Sequence, residues 1–155
     1  MGTTYTNLLF HIVFSTKHRK NIITSEIRER LYEYIGGILR EQKGILLQIG
    51  GMLDHVHILA KLSPTLAISD VIRITKANSS KWCNESFQTN TKFARQRGFG
   101  AFSVSFSKVD QVQKYIQKQQ EHHQKISFAD EFRQLLVRHG IEFDERYLFD
   151  VEHIV

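Results

Sequence analysis

The chain has little cysteine and little proline, and it has no long apolar run. Cys83 is the only cysteine among 155 residues, so an intrachain disulfide and a cysteine-based metal site are both excluded. No apolar stretch reaches the length of a membrane-spanning helix. The first residues lack the basic segment and apolar block of a signal peptide. We therefore expect a cytoplasmic protein with no membrane partner.

Internal repeats, low-complexity tracts and linkers are also absent, so we expect a single domain covering residues 1–155. With 41% hydrophobic and 24% charged residues, the chain can bury a core and is not disordered. Its net charge is +5 and its pI is about 9.4. This balance favours polyanionic partners such as nucleic acid, although many small soluble proteins are mildly basic without binding any.

Hydrophobic patterns predict the order strand, helix, strand, strand, helix, strand, and then further helices. The predicted strands are 5–14, 45–49, the His-x-His segment to 62, and 98–106. The predicted helices start at Thr24–Ser25, after Ser69 and after Ser107, and the last covers 128–138. Gly50–Gly51 is expected to form a bulge or tight turn. This order is that of a ferredoxin-like or RRM-like α+β sandwich, with an antiparallel sheet, helices on one face, a free second face and an extra C-terminal helical region.

The segment Asp54-His55-Val56-His57 is the most informative stretch for chemistry. Residues two apart on a strand point to the same face, so His55 and His57 lie side by side, about 6–7 Å apart along the backbone. Two imidazoles at this spacing can converge on a metal ion. The same pattern also occurs on solvated strand faces, so the pair by itself leaves both interpretations open.

Tyr115 and Gln119 are one helical turn apart and therefore share a face of the third predicted helix. A tyrosine hydroxyl can attack a phosphodiester and form a covalent phosphotyrosine. A divalent cation would polarise the phosphate, and His55, His57 and the Gln119 amide oxygen could hold it. Two imidazoles and an amide are poor ligands for Mg²⁺, so DNA phosphate is expected to complete the site.

Several basic residues are candidate contacts for nucleic acid. Lys17 and Arg19 follow the first strand, where a solvated loop is the competing interpretation. Arg73 and Lys76 lie on one face of the second helix, and Arg95 and Arg97 add charge before the fourth strand. Charged helix faces are often simply solvated, so these six positions are candidates only.

Four motifs, taken in order, resemble the IS200/IS605-type Y1 transposases. They are Asp54-His55-Val56-His57-Ile58-Leu59, Gly98-Phe99-Gly100-Ala101-Phe102-Ser103-Val104-Ser105, Tyr115-Ile116-x-x-Gln119-x-x-His122-His123 and Phe128-x-x-Glu131-Phe132. The opening strand, ending in Thr16-Lys17-x-Arg19, and the segment Asp144-x-x-Tyr147-Leu148 are similar to the ends of that family. The resemblance covers essentially the whole chain.

The resemblance implies a metal-dependent DNA strand transferase. Tyr115 would be the nucleophile that leaves a 5′-phosphotyrosine and a free 3′-hydroxyl. His55, His57 and Gln119 would hold Mg²⁺ or Mn²⁺. The substrate would be single-stranded DNA near hairpins at the ends of a mobile element, and the protein would act as a homodimer without a nucleotide cofactor.

Two other functions stay open at this point. An RRM-like protein that binds single-stranded DNA or RNA hairpins without cutting them would explain the basic loops and the sheet. A metal-binding structural protein would explain the histidine pair. His122 and His123 could tune the site, although packing or surface roles are more common for histidines beside an apolar stripe. Asp54 is either an orienting partner of a ligand or a turn residue.

Overall fold

The strands and helices of the chain follow the predicted order. The computed structural model describes residues 3–87, 92–94 and 98–149. The strands are β1 (Leu8–Ser15), β2 (Ile45–Gly51), β3 (His55–Leu62) and β4 (Gly100–Ser103). The helices are α1 (Ser25–Glu41), α2 (Ile68–Ser86), α3 (Val109–Gln117), α4 (Gln119–His122) and α5 (Phe128–Arg138). Among these helices none is both long and apolar enough to cross a membrane.

The four strands form an antiparallel sheet in the order β2-β3-β1-β4. β1 and β3 are the central strands and pair over their whole length, from Leu8 opposite Leu62 to Ser15 opposite His55. The predicted antiparallel pairing of β2 with β3 and the α+β sandwich are both confirmed. β1 and β3 are therefore each held by a neighbouring strand on both sides.

The first face of the sheet is apolar and is covered by α1 and α2. Alternation along the central strands sends Ile12 and Phe14 of β1, and Val56 and Ile58 of β3, to this face. The inward residues of α1 repeat at helical spacing and are all buried: Ile27, Leu31, Ile35 and Leu39. Together with residues of α2 they form the main hydrophobic core.

The second face is not free, which corrects our expectation. A smaller core joins Val13 of β1 and Phe102 of β4 to α5 through Phe128, Leu135 and Leu136. α3 also lies against this face, over β2 and β3. The C-terminal helices carry apolar side chains of their own, and these pack against the sheet in the second core. Side chains on the second face are thus covered by α3 and α5.

Two glycines allow these helices to approach the sheet closely. A Cβ atom at Gly50 would lie 2.6 Å from the carbonyl oxygen of Ile116 in α3. A Cβ atom at Gly100 would lie 2.7 Å from the ring of Phe132 in α5. Both distances are shorter than real Cβ contacts, so a side chain at Gly50 would push α3 outwards and one at Gly100 would displace the Phe132 ring.

Several predicted boundaries were wrong. β1 begins at Leu8 rather than at Tyr5, whose side chain is 92% exposed. The irregularity in β2 falls between Leu46 and Gln48, whereas Gly50 and Gly51 pair regularly with β3. α2 begins at Ile68 with Ala67 at its N-cap, so Ser69 lies inside the helix.

β4 and the third predicted helix are shorter than expected. β4 ends at Ser103 because its partner β1 pairs with it only over residues 10–13. A 3₁₀ turn over 106–108 precedes α3, and Phe106 is exposed. The helix predicted to start after Ser107 and to carry both Tyr115 and Gln119 is interrupted at Lys118, where ψ is 20°, so Tyr115 is in α3 and Gln119 opens α4.

Candidate active site

The histidine pair lies on the second face of the sheet, as strand alternation predicts. His55 and His57 are 1% and 0% exposed, and their ring centroids are 5.1 Å apart. Alternation along β1 places a third imidazole, His11, on the same face. These rings are therefore buried between the sheet and the C-terminal helices and are not on a solvated strand surface.

A carboxylate that we had not predicted as a site residue lies at the centre of this region. Glu131 is on the buried side of α5 and is 1% exposed. Its Oε1 lies 2.9 Å from His57 Nε2, 3.0 Å from His123 Nε2 and 3.6 Å from His55 Nε2. One carboxylate oxygen thus faces three imidazole nitrogens.

The second oxygen of the same carboxylate faces the tyrosine helix. Tyr115 donates its hydroxyl hydrogen to Glu131 Oε2 in a short hydrogen bond. The side-chain nitrogen of Gln119 donates to the same oxygen at 3.0 Å. His122 Nε2 lies 3.3 Å from it. Tyr115, His57 and Gln119 are therefore brought together around one buried group, although they come from different elements.

The hydrogen bond from the Gln119 nitrogen fixes which way this amide points. Its oxygen lies 3.1 Å from His55 Nε2 and 3.0 Å from His123 Nε2. On the far side of each ring, His55 Nδ1 donates to Asp54 at 2.7 Å and His123 Nδ1 donates to the carbonyl of Ile126 at 2.9 Å. In neutral imidazoles with these tautomers both Nε2 atoms carry lone pairs.

Lone pairs from four side chains consequently converge on one small region: His55 Nε2, His123 Nε2, Gln119 Oε1 and Glu131 Oε1. Acceptors facing one another repel unless a positive charge lies between them. Among the described residues, ligand atoms of His55, His57, His123 and Glu131 all lie within 4.8 Å of one another. The donor set therefore fits a divalent cation, with nitrogen and oxygen ligands both present.

The protonation states that the surroundings favour for His57 and Glu131 agree with this interpretation. Burial lowers the pKa of His57 to about 4, and burial together with the neighbouring His57 lowers the pKa of His11 to about 3. Burial alone would raise the pKa of the Glu131 carboxyl. Hydrogen bonds from His123 and His57 outweigh that effect and hold this pKa below its usual range. Burial would lower the pKa of His123, but its hydrogen bond to Glu131 outweighs that effect and raises this pKa. A cation that binds here would therefore displace a proton from His123, whereas His57 is already neutral at neutral pH.

Tyr115 is half-buried at the edge of this cluster. Burial raises the pKa of its hydroxyl, and the neighbouring Glu131 carboxylate raises it further. The phenol is therefore neutral in this structure. His11 lies beside its ring, with centroids 5.9 Å apart, and His11 also contacts His57 Nδ1 at 2.8 Å.

The basic residues proposed for nucleic acid lie elsewhere. Lys17 and Arg19 are exposed in the turn after β1, where the Arg19 guanidinium covers the Phe149 ring at 4.6 Å. Arg73 and Lys76 line a cavity of about 530 Å³ beside α2, the helix on the opposite face of the sheet. Arg95 and Arg97 lie outside the described residues.

Sequence reasoning missed Glu131, His123 and His11 as members of the cluster. A signal for Glu131 was present, because it falls on the apolar stripe of α5 between Phe128 and Leu135. Ionisable residues are rarely buried without a partner. His123 lies one turn after Gln119, and His11 shares the inward alternation of β1 with Val13. Each signal becomes specific only once the sheet brings the elements together.

The fold and the site define an α+β protein with a ferredoxin-like sheet and a buried His/Glu cluster of the metal-binding type. A family model described as "Transposase IS200 like" matches residues 4–119. The chain therefore belongs to the IS200-like transposases, a family of DNA-processing enzymes. The matched region ends at Gln119, so His123 and Glu131 lie beyond it.

Individual relatives agree with this assignment. The chain is 30% identical over 123 residues to the transposase for insertion sequence element IS200 of Salmonella typhimurium, covering 74% of this chain and 78% of that protein. It is 24% identical over 119 residues to the ISDra2 transposase TnpA of Deinococcus radiodurans, covering 74% of this chain and 85% of that protein.

Solved structures share the fold. A protein of Deinococcus radiodurans R1, described as a candidate transposase, superposes with a TM-score of 0.63 at 22% identity, covering 77% of this chain and 95% of that one. A REP-associated tyrosine transposase bound to a REP hairpin superposes with a TM-score of 0.60 at 15% identity, covering 81% and 74%. These likenesses show a shared fold.

Proposed function

We propose that this transposase cleaves and rejoins single-stranded DNA at the ends of a mobile element through a 5′-phosphotyrosine on Tyr115. One observation carries the proposal: the Tyr115 hydroxyl is hydrogen-bonded to Glu131, whose other oxygen faces His57 and His123. The Tyr115 hydroxyl is thereby held at the edge of a cluster of side chains that could bind a cation. A purely structural tyrosine would not require that neighbour.

His55, His57 and Gln119 are proposed to hold the divalent cation, Mg²⁺ or Mn²⁺. When bound, such a cation supplies Lewis-acid polarisation of the scissile phosphate. The chain's own contribution is to keep His57 neutral by burial and to orient the rings. Asp54 and Ile126 fix the His55 and His123 rings from behind, as outer partners do at metal sites.

The proposed reaction is an exchange of one phosphodiester for another. The Tyr115 oxygen forms a bond to phosphorus and the bond from phosphorus to the 3′-oxygen breaks. The phenol loses one proton and the released 3′-oxygen gains one, so atoms and charge balance without an oxidant or a nucleotide. Attack by the 3′-hydroxyl in the reverse direction rejoins DNA and restores the tyrosine.

The other tyrosines are less suitable nucleophiles. Tyr5 and Tyr147 are exposed at 92% and 53%. Tyr32 packs against the apolar core, and Tyr34 stacks on Trp82 with ring centroids 4.7 Å apart. All four are described by the structure, and none is among the residues that form the His/Glu cluster.

Hairpin DNA is the proposed substrate, and Lys17, Arg19, Arg73 and Lys76 are proposed to contact its phosphates. One solved structure of this fold is a transposase bound to a REP hairpin, which supports hairpin recognition here. The net charge of +5 favours the same class of ligand. We further propose that the protein acts as a homodimer.

The competing function is hairpin binding without cleavage. It would account for the basic residues but would give no role to the buried polar cluster. We would incubate the protein with Mn²⁺ and hairpin-bearing single strands that span the DNA flanking its gene, and then separate the products on a denaturing gel. The wild type should give a covalent protein–DNA band.

The decisive variant is Tyr115→Phe, which removes only the attacking oxygen. It should abolish the covalent band and retain hairpin binding. Tyr147→Phe is the matched control, because its exposed ring lies outside the cluster, and it should react like the wild type. A covalent band in Tyr115→Phe would refute the assignment. Hairpin binding by the wild type with no band would favour the binding module.

A further inference from the structure

Glu131 occupies a position where a hydrophobic residue would pack well. Phe128 and Leu135 lie one turn before and after it on the buried stripe of α5. Its side chain is 1% exposed. Removing an ionised carboxylate from water costs several kcal/mol unless other groups compensate. Packing alone therefore does not explain a carboxylate here.

The two oxygens of Glu131 face different parts of the site. Oε1 faces the imidazoles of His57 and His123 at 2.9 and 3.0 Å. Oε2 accepts hydrogen bonds from the Tyr115 hydroxyl and from the Gln119 nitrogen. A single buried group thus connects the proposed ligands of the cation with the proposed nucleophile.

The charge of Glu131 matters to the first of these contacts. The other converging donors are imidazoles and an amide, which are neutral and suit Mg²⁺ or Mn²⁺ poorly without an oxyanion. Glu131 supplies that oxyanion from the protein itself. A site containing it does not need DNA phosphate in order to hold a hard divalent cation.

The contact between Tyr115 and Glu131 Oε2 depends on which group donates the hydrogen bond. An ionised carboxylate can only accept, so the Tyr115 hydroxyl must donate its hydrogen to Oε2. The lone pairs of the phenol oxygen then point away from Glu131. This orientation leaves them available for an incoming phosphate before any DNA is bound.

From these contacts we infer that Glu131 is a shared residue of the site: its Oε1 is a ligand of the divalent cation, beside His123, and its Oε2 orients the Tyr115 hydroxyl of the same chain. This inference rests on the proposed function and deepens it. It assigns both roles to Glu131, which lies beyond the region that the family match covers.

The first test measures Mn²⁺ affinity without DNA, by the decrease of the free Mn²⁺ EPR signal. Glu131→Gln keeps the shape of the side chain and removes its charge, and it should weaken Mn²⁺ binding at least tenfold. Glu121→Gln, on an exposed position of α4, is the matched charge control and should bind like the wild type. Equal affinity of Glu131→Gln and wild type would overturn the ligand role.

The second test measures the rate of covalent adduct formation at saturating Mn²⁺. With the cation supplied in excess, Glu131→Gln should still form the adduct at least tenfold more slowly, because the amide no longer orients the phenol in the same way. An adduct rate in Glu131→Gln equal to the wild-type rate would overturn the orienting role.

A third measurement does not depend on a folded variant. A crystal of the wild-type protein soaked in Mn²⁺ should show an anomalous peak within bonding distance of Glu131 Oε1 and His123 Nε2. A peak contacting His55 and His57 without Glu131 would overturn the inference. If Mn²⁺ binds through Glu131 but the wild type forms no adduct, the proposed function fails while the ligand role stands, so the two failures are distinguishable.

Discussion

The two faces of the sheet use the same strands for opposite purposes. On β3, Val56 and Ile58 pack under α1 and α2, whereas His55 and His57 point to the other side. Both sets are buried to the same degree. The first face is filled by aliphatic and aromatic side chains, and the second combines a small apolar core with a hydrogen-bonded polar cluster.

This difference separates stability from chemistry. Burying one aliphatic side chain contributes roughly 1.5–3 kcal/mol, and the first face contains many. Buried polar groups cost free energy unless they are fully hydrogen-bonded. Successive residues of β1 and β3 alternate between the two faces. The free energy gained by burying apolar side chains on the first face can therefore offset the cost of burying polar groups on the second. Three predictions follow from that contrast, and they are ordered by expected size.

The largest effect on folding should come from the apolar face. Ile35→Ala removes a fully buried side chain from α1 and should lower the free energy of unfolding by about 3 kcal/mol. Urea denaturation measures this loss. Ile45→Ala, at a 55% exposed position, is the control and should cost well under 1 kcal/mol. Mn²⁺ affinity of folded Ile35→Ala should be unchanged; a large change would mean that the faces are not independent.

Binding of a divalent cation to the polar face should stabilise the folded protein. Mn²⁺ at a hundred times its dissociation constant should raise the free energy of unfolding of the wild type by about 2.7 kcal/mol. His57→Ala removes one proposed ligand and should lose most of that gain, while Ile45→Ala should keep it. Urea titrations with Mn²⁺ or with EDTA give the comparison. Equal stabilisation of His57→Ala would place the cation elsewhere.

The smallest effect concerns pH. Since the pKa of His11 falls to about 3 on folding, the unfolded chain binds a proton near pH 6.5 that the native chain does not bind. Stability should therefore fall as pH decreases from 6.5 towards 3, and this residue should account for about 2 kcal/mol between pH 6.5 and 5.

Removing the imidazole of His11 should weaken the dependence of folding stability on pH. His11→Gln should reduce the loss of stability between pH 6.5 and 5, measured by urea denaturation at each pH in EDTA. His18→Gln, at an exposed position, should leave the dependence as in the wild type. An unchanged slope in His11→Gln would show that the ring is already protonated in the native state.

The fold could be predicted from sequence because its signals are local. Strand alternation placed His55 and His57 on the same face, and hydrophobic patterns gave the order of the strands and helices. The break at Lys118 was not foreseen, because no proline or glycine marks it. Boundaries such as the start of β1 depend on which partner strand is available, and that is a tertiary property.

The site could be predicted only in part for a related reason. His55 and His57 are two residues apart, so one local rule pairs them. Glu131 is 74 residues from His57 and meets it only when α5 packs on the second face. Its position on an apolar stripe was a usable warning, but the identity of its partners required the three-dimensional arrangement.

Gly50 and Gly100 have a consequence for comparing members of this family. The height at which α3 sits above the sheet, and hence the separation of Tyr115 from the histidines, depends on the absence of a Cβ atom at Gly50, while the Phe132 ring of α5 fills the space beside Gly100. A homologue could retain each chemically reactive side chain and still be inert, because an alanine at position 50 would push α3 outwards. An inventory of reactive residues is therefore an incomplete guide to which transposases remain competent.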